Sequence, residues 1–523
     1  MQIKHRVDQA PGITVKEVID NNFSVEGKGE VKAAVVVQSR KGPVNTVFTV
    51  NANTAMRVLG EPLSTKRFGH GAEGVRQVLE ALKGTNSVDS CLVVRAIAED
   101  AKFPFIIMPE DDSEPTKSAS LYGTNIEVSD GAWGAFFPVD GDDAKKVRIV
   151  IHNIDTEAQR FDVRFEELFL GTWRRIDGED YRSVSIDDEA KSDNGLSAYI
   201  TSVLGNRGSR FGCVINHDSD FSSVKAVEAQ FEGGTAGSAV QEADYLRAIK
   251  HFEAPEHEFP LMFAAGIYSP AAIKALSAIA DEKYAQFRFD IPPELNPKAA
   301  IDFVTDLGIQ SWQTIAYHYP YESYDVHEQK KIVCGISGRA TALQAQALGE
   351  PTGNSTVKSV HLVPAGEKRG HVGRSGVVAL PRSPATQASA EELTIARINP
   401  VENGLSIGDC LTLHALQTYL RFSNVGSTVN FLVRDFFKAA KNVQFGAQLN
   451  VLEELNKQAK TILQMYVDAG AIVEPRDPER DGPAPFDLSV EQDKNEIDLF
   501  HLVVSYASSG VARRITVQIK LKK

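Results

Sequence analysis

The architecture of this chain depends on residues 499–523, which read LFHLVVSYASSGVARRITVQIKLKK. From residue 511 onward apolar and polar side chains alternate, which predicts a half-buried β-strand. No hairpin partner follows this strand, and one other strand, residues 499–506, precedes it. Because a two-stranded ribbon is only marginally stable alone, we expect the last strand to join a larger sheet. Its apolar side comprises Ile515, Val517, Ile519 and Leu521.

The other end of the chain has the same character. Residues 13–19 form a short extended run with Ile13, Val15 and Ile19 on one side, and the polar segment NNFSVEGKGE follows at 21–30. Termini that are apolar on one face and loosely tethered are candidates for adding a strand to a neighbour's sheet. The alternative is that both termini pair inside their own domain.

Composition limits the class of protein. A chain of 523 residues, 42% of them hydrophobic, is expected to hold about three to four packed domains. A net charge of -13 argues against nucleic acid as a general partner. No signal peptide opens the chain and no apolar run approaches a membrane span. The four cysteines form no CxxC pair, which is typical of reduced thiols in protein cores.

A cluster of cations stands out near the end of this acidic chain. It suits docking against an acidic surface of another copy. The alternative is a solvated edge strand whose lysines block aggregation. The cluster consists of Arg513, Arg514, Lys520, Lys522 and Lys523.

Strand and helix patterns predict an α/β body with an insertion. Residues 31–105 and 221–385 alternate buried strands with helices, and the sequence from 260 to 291 predicts a parallel sheet with a right-handed crossover. Between them, residues 106–220 carry short alternating runs, one of them 197–204, that predict an antiparallel β-sandwich or barrel. An amphipathic helix is predicted at 447–469, with one apolar stripe: Leu452, Leu455, Ala459, Ile462 and Tyr466.

Two features of the sequence resemble sites of chemistry. Residues 69–74, GHGAEG, match a dinucleotide fingerprint, but a loop precedes them where that fingerprint needs a strand. Asp290 lies at the carboxyl end of a predicted strand, where α/β enzymes place their chemistry. No nucleophile, base or metal partner accompanies it at recognisable spacing, so the preferred interpretation is a turn carboxylate before Pro292 and Pro293.

Other enzyme signatures are incomplete. The glycine-rich FEGGTAGS at 231–238 lacks the GK[ST] of a phosphate-binding loop, and the histidines form no HExxH. GISGR at 335–339 and GRSG at 373–376 both miss the GxSxG nucleophile motif. We therefore expect no enzyme activity, catalytic residues, metal or cofactor.

A series of short motifs follows one order along nearly the whole chain: PGITVKEV (11–18), RKGP (40–43), FG (68–69), LVVRA (92–96), SDGAWG (129–134), FEGGTAG (231–237), FRFDIP (287–292) and INP (398–400). This series resembles the sheath proteins of contractile phage tails. Ala135 stands where the family has an Asn, Ala236 where it has an Asp, and GDCLTL at 408–413 matches only loosely.

The resemblance implies a structural subunit of a virion tail, assembled in the host cytoplasm. Such subunits form a six-start helical tube of stacked hexameric rings, whose contraction drives the inner tube through the host envelope for genome ejection. It also implies an inner α+β C-terminal domain at 386–487 and strand arms at 1–30 and 488–523 that add to neighbouring subunits. The subunit-interaction residues would be Ile13, Val15, Ile19, Arg513, Arg514, Ile515, Val517, Ile519 and Leu521.

The partners that the resemblance implies are other copies of the chain, a tail tube protein, baseplate proteins and tail terminator or neck proteins. Neither nucleic-acid contact nor membrane insertion is expected. Residues 20–30 and 474–487 would act as linkers that absorb movement between rigid bodies. Two alternatives stay open: the sheath of a non-viral contractile injection system, and a cytosolic α/β enzyme whose inserted β domain closes over a site near Asp290.

Overall fold

The structure is a computed structural model that describes residues 30–511 and residue 513, apart from residues 45, 122, 123, 125, 129, 140–145, 208, 236, 353–356, 382–386, 447 and 497. Its strands are β1 Lys32–Val37, β2 Val47–Val50, β3 Ser90–Arg95, β4 Lys102–Pro109, β5 Thr116–Leu121, β6 Ala132–Pro138, β7 Val147–Asp155, β8 Arg160–Phe169, β9 Thr172–Val184, β10 Phe211–Ile215, β11 Val227–Gln230, β12 Leu261–Phe263, β13 Gln286–Asp290, β14 Thr314–His318, β15 Tyr321–Asp325, β16 Lys330–Val333, β17 Val378–Ala379, β18 Ile398–Glu402, β19 Ser406–Ile407, β20 Phe486–Gln492 and β21 Phe500–Tyr506.

Its helices are α1 Ala55–Leu59, α2 Thr65–Phe68, α3 Glu73–Ala81, α4 Ile200–Asn206, α5 Glu242–Ile249, α6 Pro270–Lys283, α7 Pro297–Leu307, α8 Ser337–Gly349, α9 Gly366–Arg369, α10 Gln387–Ile395, α11 Ser423–Val443, α12 Gln448–Asp468 and α13 Pro478–Asp481. Short 3-10 turns lie at Gly69–Ala72, Phe221–Ser223, Lys250–Glu253 and Tyr419–Arg421.

The largest sheet has eight strands in the order β19-β18-β14-β13-β12-β1-β3-β2. All neighbouring pairs are parallel except the two at the edges, where β2 and β19 run antiparallel to their partners. β1, with the sequence KAAVVV, is almost entirely buried. Such continuous apolar strands belong in sheets covered on both faces. The predicted parallel sheet is confirmed.

Helices cover both faces of this sheet. Val35 of β1 shares one core with side chains of α3, α8, α11 and α12. The next residue, Val36, shares a second core with side chains of α5, α6, α7 and α10. This alternation follows from the period of two along a strand. The long C-terminal helices α11 and α12 therefore pack in the core of the main sheet.

Local signals set the limits of the crossover helices. Ser269 caps α6 by accepting a hydrogen bond from the Ala272 N–H, and Pro270 occupies its first turn. α7 repeats this arrangement with Asn296 as its cap and Pro297 next to it. The helix predicted after Ser269 is confirmed, because its cap and its apolar spacing are both local features.

Two four-stranded antiparallel sheets, β10-β6-β4-β5 and β11-β7-β8-β9, lie between the halves of the main sheet in the sequence. They share one core that includes Trp133, Phe136 and Phe165. The run 197–204, predicted as a strand, is largely helical in α4. Ile200 and Leu204 are both buried, and their spacing of four residues places them on one helical face.

The region after residue 386 contributes to more than one part of the fold. β18 joins the main sheet through parallel pairing with β14, Ala316 opposite Ile398. The hairpin of β20 and β21 forms a separate two-stranded sheet. A three-stranded sheet, β16-β15-β17, is smaller still. The domain limits given from the sequence stay predictions.

In the described part of the chain, no helix combines the length and the apolar character that are needed to cross a bilayer.

Candidate functional site

The C-terminal hairpin of β20 and β21 lies largely within residues 488–523, the segment predicted as a strand arm. β20 and β21 pair in continuous antiparallel register from Phe486 opposite Tyr506 to Gln492 opposite Phe500. In the turn, the Asp493 carboxylate accepts hydrogen bonds from the Asn495 and Glu496 N–H groups. It also binds His501 Nε2 at 2.7 Å, and this contact lowers the pKa of Asp493 to about 2.

One face of the hairpin is packed and the other is open. Phe486, Leu488 and Val490 of β20 alternate along the strand and pack on the core formed by α11, α12 and the main sheet. On β21 the side chain of Val503 is 62% exposed. Among the described residues no third strand pairs along either edge of this sheet. The described part of the chain therefore shows this hairpin as a sheet of two strands, β20 and β21.

Directly after the hairpin, Ser508 and Ser509 contact other parts of the same chain. Ile472 forms a β-bridge with Ser508, and the Ser509 N–H donates to the Ala471 carbonyl. Asn424 Nδ2 donates to the Ser509 carbonyl at 3.0 Å. Residues 507–509 thus follow a defined path across α11 and the end of α12.

Arg513 is the predicted interaction residue that the structure describes. Its guanidinium group binds Asp409 of the same chain, with Nε 2.8 Å from Oδ1, and lies 5.5 Å from the ring centroid of Phe422. The structure therefore places Arg513 against its own body, at the point where the last segment begins. The other predicted interaction residues lie outside the described residues: Ile13, Val15, Ile19, Arg514, Ile515, Val517, Ile519 and Leu521.

The predicted stripe on α12 is confirmed. Leu455, Ala459, Ile462 and Tyr466 are buried and Leu452 is half-buried. The opposite face, which includes Glu453 and Lys457, is exposed.

Sequence reasoning missed β20. The prolines of residues 474–487 predict a linker, whereas α13 occupies 478–481 and β20 begins at Phe486. The alternation of Phe486, Leu488 and Val490 was a usable signal, because a period of two apolar residues predicts a strand.

Asp290 lies in a buried polar cluster at the carboxyl edge of the main sheet. Its carboxylate accepts hydrogen bonds from the N–H groups of Ile336 at 2.7 Å and Ser337 at 2.9 Å, at the start of α8. α8 has no side-chain cap of its own, so Asp290 supplies one. Burial raises the pKa of Asp290 to about 6. This capping role corrects the interpretation of Asp290 as a turn carboxylate.

Glu73 completes the cluster at the start of α3. It accepts hydrogen bonds from the Gly335 N–H at 2.7 Å, from the Tyr268 hydroxyl at 3.1 Å and from Gln77 Nε2 at 3.1 Å. Burial raises the pKa of the neighbouring Cys334 thiol well above its usual value, so this thiol is not an activated nucleophile. The cluster joins α3, α8 and the sheet edge.

The glycines of the apparent dinucleotide motif serve close packing. A Cβ atom on Gly71 would lie 2.1 Å from Gln38 Oε1, and one on Gly74 would lie 3.1 Å from Val37 Cβ. Both contacts are with the carboxyl end of β1. The strand order reverses between β1 and β12, the place where α/β folds commonly bind ligands. Here the segment 69–74 packs on that end of β1.

Two concave regions lie elsewhere on the chain. A cavity of about 440 Å³ is lined by Arg40, Arg67 and Arg95, among others, at the ends of β1 and β3. A groove of about 360 Å³ runs between the main sheet and the β insertion. Asp290 and Glu73 line neither region. Across the described residues, no group of three or more His, Cys, Asp or Glu side chains has the arrangement of a metal site.

Comparison with known proteins gives structural matches only. No protein-family model and no curated protein sequence matches the chain. A chain in the cryo-EM structure of the PVC sheath complex of an extracellular contractile injection system, in its contracted state, is similar over 98% of both chains, with a TM-score of 0.51 and 12% identity. A chain of the anti-feeding prophage baseplate matches 55% of this chain and 76% of its own length, with a TM-score of 0.41 and 16% identity. The protein therefore has the fold of a contractile sheath component, as the order of its sequence motifs predicted.

Proposed function

We propose that this chain is the sheath subunit of a contractile injection machine. Copies of it would polymerise as a helical tube around an inner tube and contract to drive that tube through a target envelope. The observation that carries the proposal is the C-terminal hairpin, whose edges pair with no third strand among the described residues. A two-stranded sheet gains stability when another strand is added.

The sequence beyond the hairpin supplies such a strand. Ile515, Val517, Ile519 and Leu521 alternate with polar residues, and Ile13, Val15 and Ile19 form a similar run near the N-terminus. Because Arg513 is bound to Asp409, the last strand would leave the body of the subunit from a defined point. We infer that these two arms complete the hairpin sheets of neighbouring copies.

Contraction would then use rigid bodies joined by paired arms. The main sheet is packed by helices on both faces through two large cores, which favours movement as a unit. The segment 20–30 and the region around the short helix α13 would change conformation while the added strands stay paired. The extended tube would be held kinetically, and contraction would release free energy by increasing contact between bodies.

A phage tail is the machine we propose, with genome ejection as its outcome. Its partners would be the tail tube, the baseplate and the terminator or neck proteins. A non-viral contractile injection system would use the same kind of subunit, and the similar sheath complex comes from a system of that class. Neighbouring genes for a capsid or for a secreted toxin would separate the two.

Electron microscopy and sedimentation of the purified full chain test the proposal. We expect striated tubes from the full chain and folded monomers after deletion of residues 510–523. A control with Lys520, Lys522 and Lys523 changed to Ala keeps the apolar side of the arm and should still form tubes. Circular dichroism verifies that each variant is folded.

Three outcomes would contradict parts of this account. Loose globules from the full chain at high concentration would overturn the sheath assignment. Normal tubes from the deletion would overturn strand addition by the C-terminal arm. Loss of tubes in the lysine variant, which keeps the apolar side of the arm, would assign assembly to charge docking, the alternative raised by the sequence.

A further inference from the structure

Three large apolar side chains of the described residues are more than four-fifths exposed: Leu170 at 87%, Phe445 at 84% and Ile395 at 82%. Single exposed apolar residues are common and need no explanation. Leu170 and Ile395 differ from this background because each belongs to a larger charged surface. The surface around Leu170 is basic, the surface around Ile395 is acidic, and the two lie toward opposite ends of the main sheet.

Leu170 occupies a costly turn. It and Gly171 form the two-residue connection between β8 and β9, and their φ angles are 48° and 80°. A turn with two positive φ values favours Asn followed by Gly, because an L-residue with a bulky side chain is strained there. The chain thus holds a leucine in an unfavourable conformation and exposes it to water. Burial of this side chain by a partner would remove the cost of its exposure and offset the backbone strain.

The groove beside Leu170 continues its apolar surface. Phe169 is 48% exposed and Met56 of α1 is 37% exposed, and both line the groove of about 360 Å³. Its lining carries the cations Arg40, Lys41, Lys146 and Arg210 against the two acids Glu61 and Glu167. We call the groove and Leu170 the basic groove. It lies at the β2 end of the main sheet, because α1 directly follows β2.

An acidic surface lies toward the other end. Ile395 ends α10, and Glu391 and Glu392, one turn earlier, are exposed beside it. α10 packs against β18 and against α7, which exposes Asp302 and Asp306. Lys298 in the first turn of α7 is exposed as well. We call this set of residues the acidic helix pair.

We propose that the basic groove of one copy binds the acidic helix pair of the next copy. The two surfaces have opposite charge, and each includes at least one strongly exposed apolar side chain, Leu170 or Ile395, as a complementary interface requires. They are separated on one chain by roughly 29 Å of sheet, from six inter-strand spacings. A contact between different surfaces leaves one of each free on every pair, so association continues beyond a dimer, into a ring or an open helix. This inference rests on the proposed sheath function.

Cysteine cross-linking between two full-chain variants tests the contact. The native cysteines Cys91, Cys213, Cys334 and Cys410 are all buried, so introduced surface thiols should dominate the reaction. A mixture of Leu170→Cys and Ile395→Cys chains, treated with a bismaleimide linker, should give at least tenfold more cross-linked dimer than either variant alone. Leu196→Cys, at a site 70% exposed that does not line the groove, replaces Leu170→Cys in the control mixture.

The outcomes separate this contact from the sheath function itself. Tubes without cross-linking above the Leu196→Cys control overturn the contact and leave the sheath assignment standing. Cross-linked dimers without tubes support the contact and overturn the sheath assignment. Charge reversal gives a second measurement. Glu391→Lys with Glu392→Lys, added to the Ile395→Cys chain, should reduce the yield of its cross-link to Leu170→Cys at least threefold, and Arg40→Glu with Lys146→Glu, added to the Leu170→Cys chain, should restore it. No restoration would overturn the proposed pairing of charges.

Discussion

Arg513 and Asp409 form a charge-assisted pair that joins the last described residue to the body of the fold, with Arg513 Nε 2.8 Å from Asp409 Oδ1. The side chains of Arg513 and Asp409 are 18% and 9% exposed. We expect Arg513→Ala to lower the free energy of unfolding by about 1–3 kcal/mol, because it leaves a largely buried carboxylate without its cation. Urea denaturation of the full chain measures this change.

Arg480 offers a matched control for that substitution. It pairs with Asp481 at 2.9 Å, but its side chain is 80% exposed. Arg480→Ala should leave the free energy of unfolding almost unchanged, because exposed ion pairs contribute little. Equal losses in the two variants would show that burial of the Arg513 pair is not what stabilises it.

Elements whose signals are local can be predicted from the sequence, whereas contacts between residues far apart along the chain cannot. β1 and α6 were predicted because a buried run, a Ser cap and a proline lie within the element itself. Arg513 and Asp409 are 104 residues apart, and Asp290 lies 46 residues before Ile336. No local pattern signals such contacts, because they depend on tertiary packing. The hairpin strand β20 was missed for a different reason, since prolines before it outweighed its alternation.

Asp290 should make stability depend on pH with an unusual sign. Its folded-state pKa of about 6 lies above the ordinary value of 3.8, so the folded chain holds this proton more tightly than the unfolded chain. Its contribution to stability is therefore present below pH 4 and is lost as the pH rises to about 6. The full loss corresponds to about 3 kcal/mol. The variant Asp290→Asn stays neutral at every pH, so its stability should not show this loss between pH 4 and pH 6.

Urea denaturation at several pH values compares the two chains. The stability of Asp290→Asn relative to wild type should increase between pH 4 and pH 6 and then level off. Asp220→Asn is a control that should differ from wild type by a nearly constant amount between pH 4 and pH 6, because the hydrogen bond from the Ser222 N–H lowers the pKa of the exposed Asp220 and moves its pH dependence below this range. A constant difference between Asp290→Asn and wild type across this range would rule out titration of Asp290 near pH 6.

Phe445 should be a site where substitution stabilises the fold. It connects α11 to α12 with a φ of 67° and an exposure of 84%. Phe445→Gly relieves the left-handed strain while removing few contacts, and we expect a gain of about 1 kcal/mol in the free energy of unfolding. Thermal and urea denaturation both report it.

Gly470, just after α12, gives the reverse substitution. Its φ is 78° and no atom lies within 4 Å of the position where a Cβ would be, so Gly470→Ala adds strain without a clash. A loss of about 1 kcal/mol is expected. If Phe445→Gly and Gly470→Ala changed stability in the same direction, backbone strain would not account for both effects.

Lengthening the segment 20–30 should separate folding from contraction. A Gly-Ser insertion that doubles this segment adds about 0.6 kcal/mol of loop entropy at most, so the melting temperature of the monomer should hardly change. In assembled tubes the same insertion slackens the connection between the N-terminal arm and β1. We therefore expect electron microscopy to show tubes that still form but contract to a different length or with a different yield. Unfolding of the inserted chain would contradict the linker role, and tubes that contract as the wild type does would show that this segment does not control the movement.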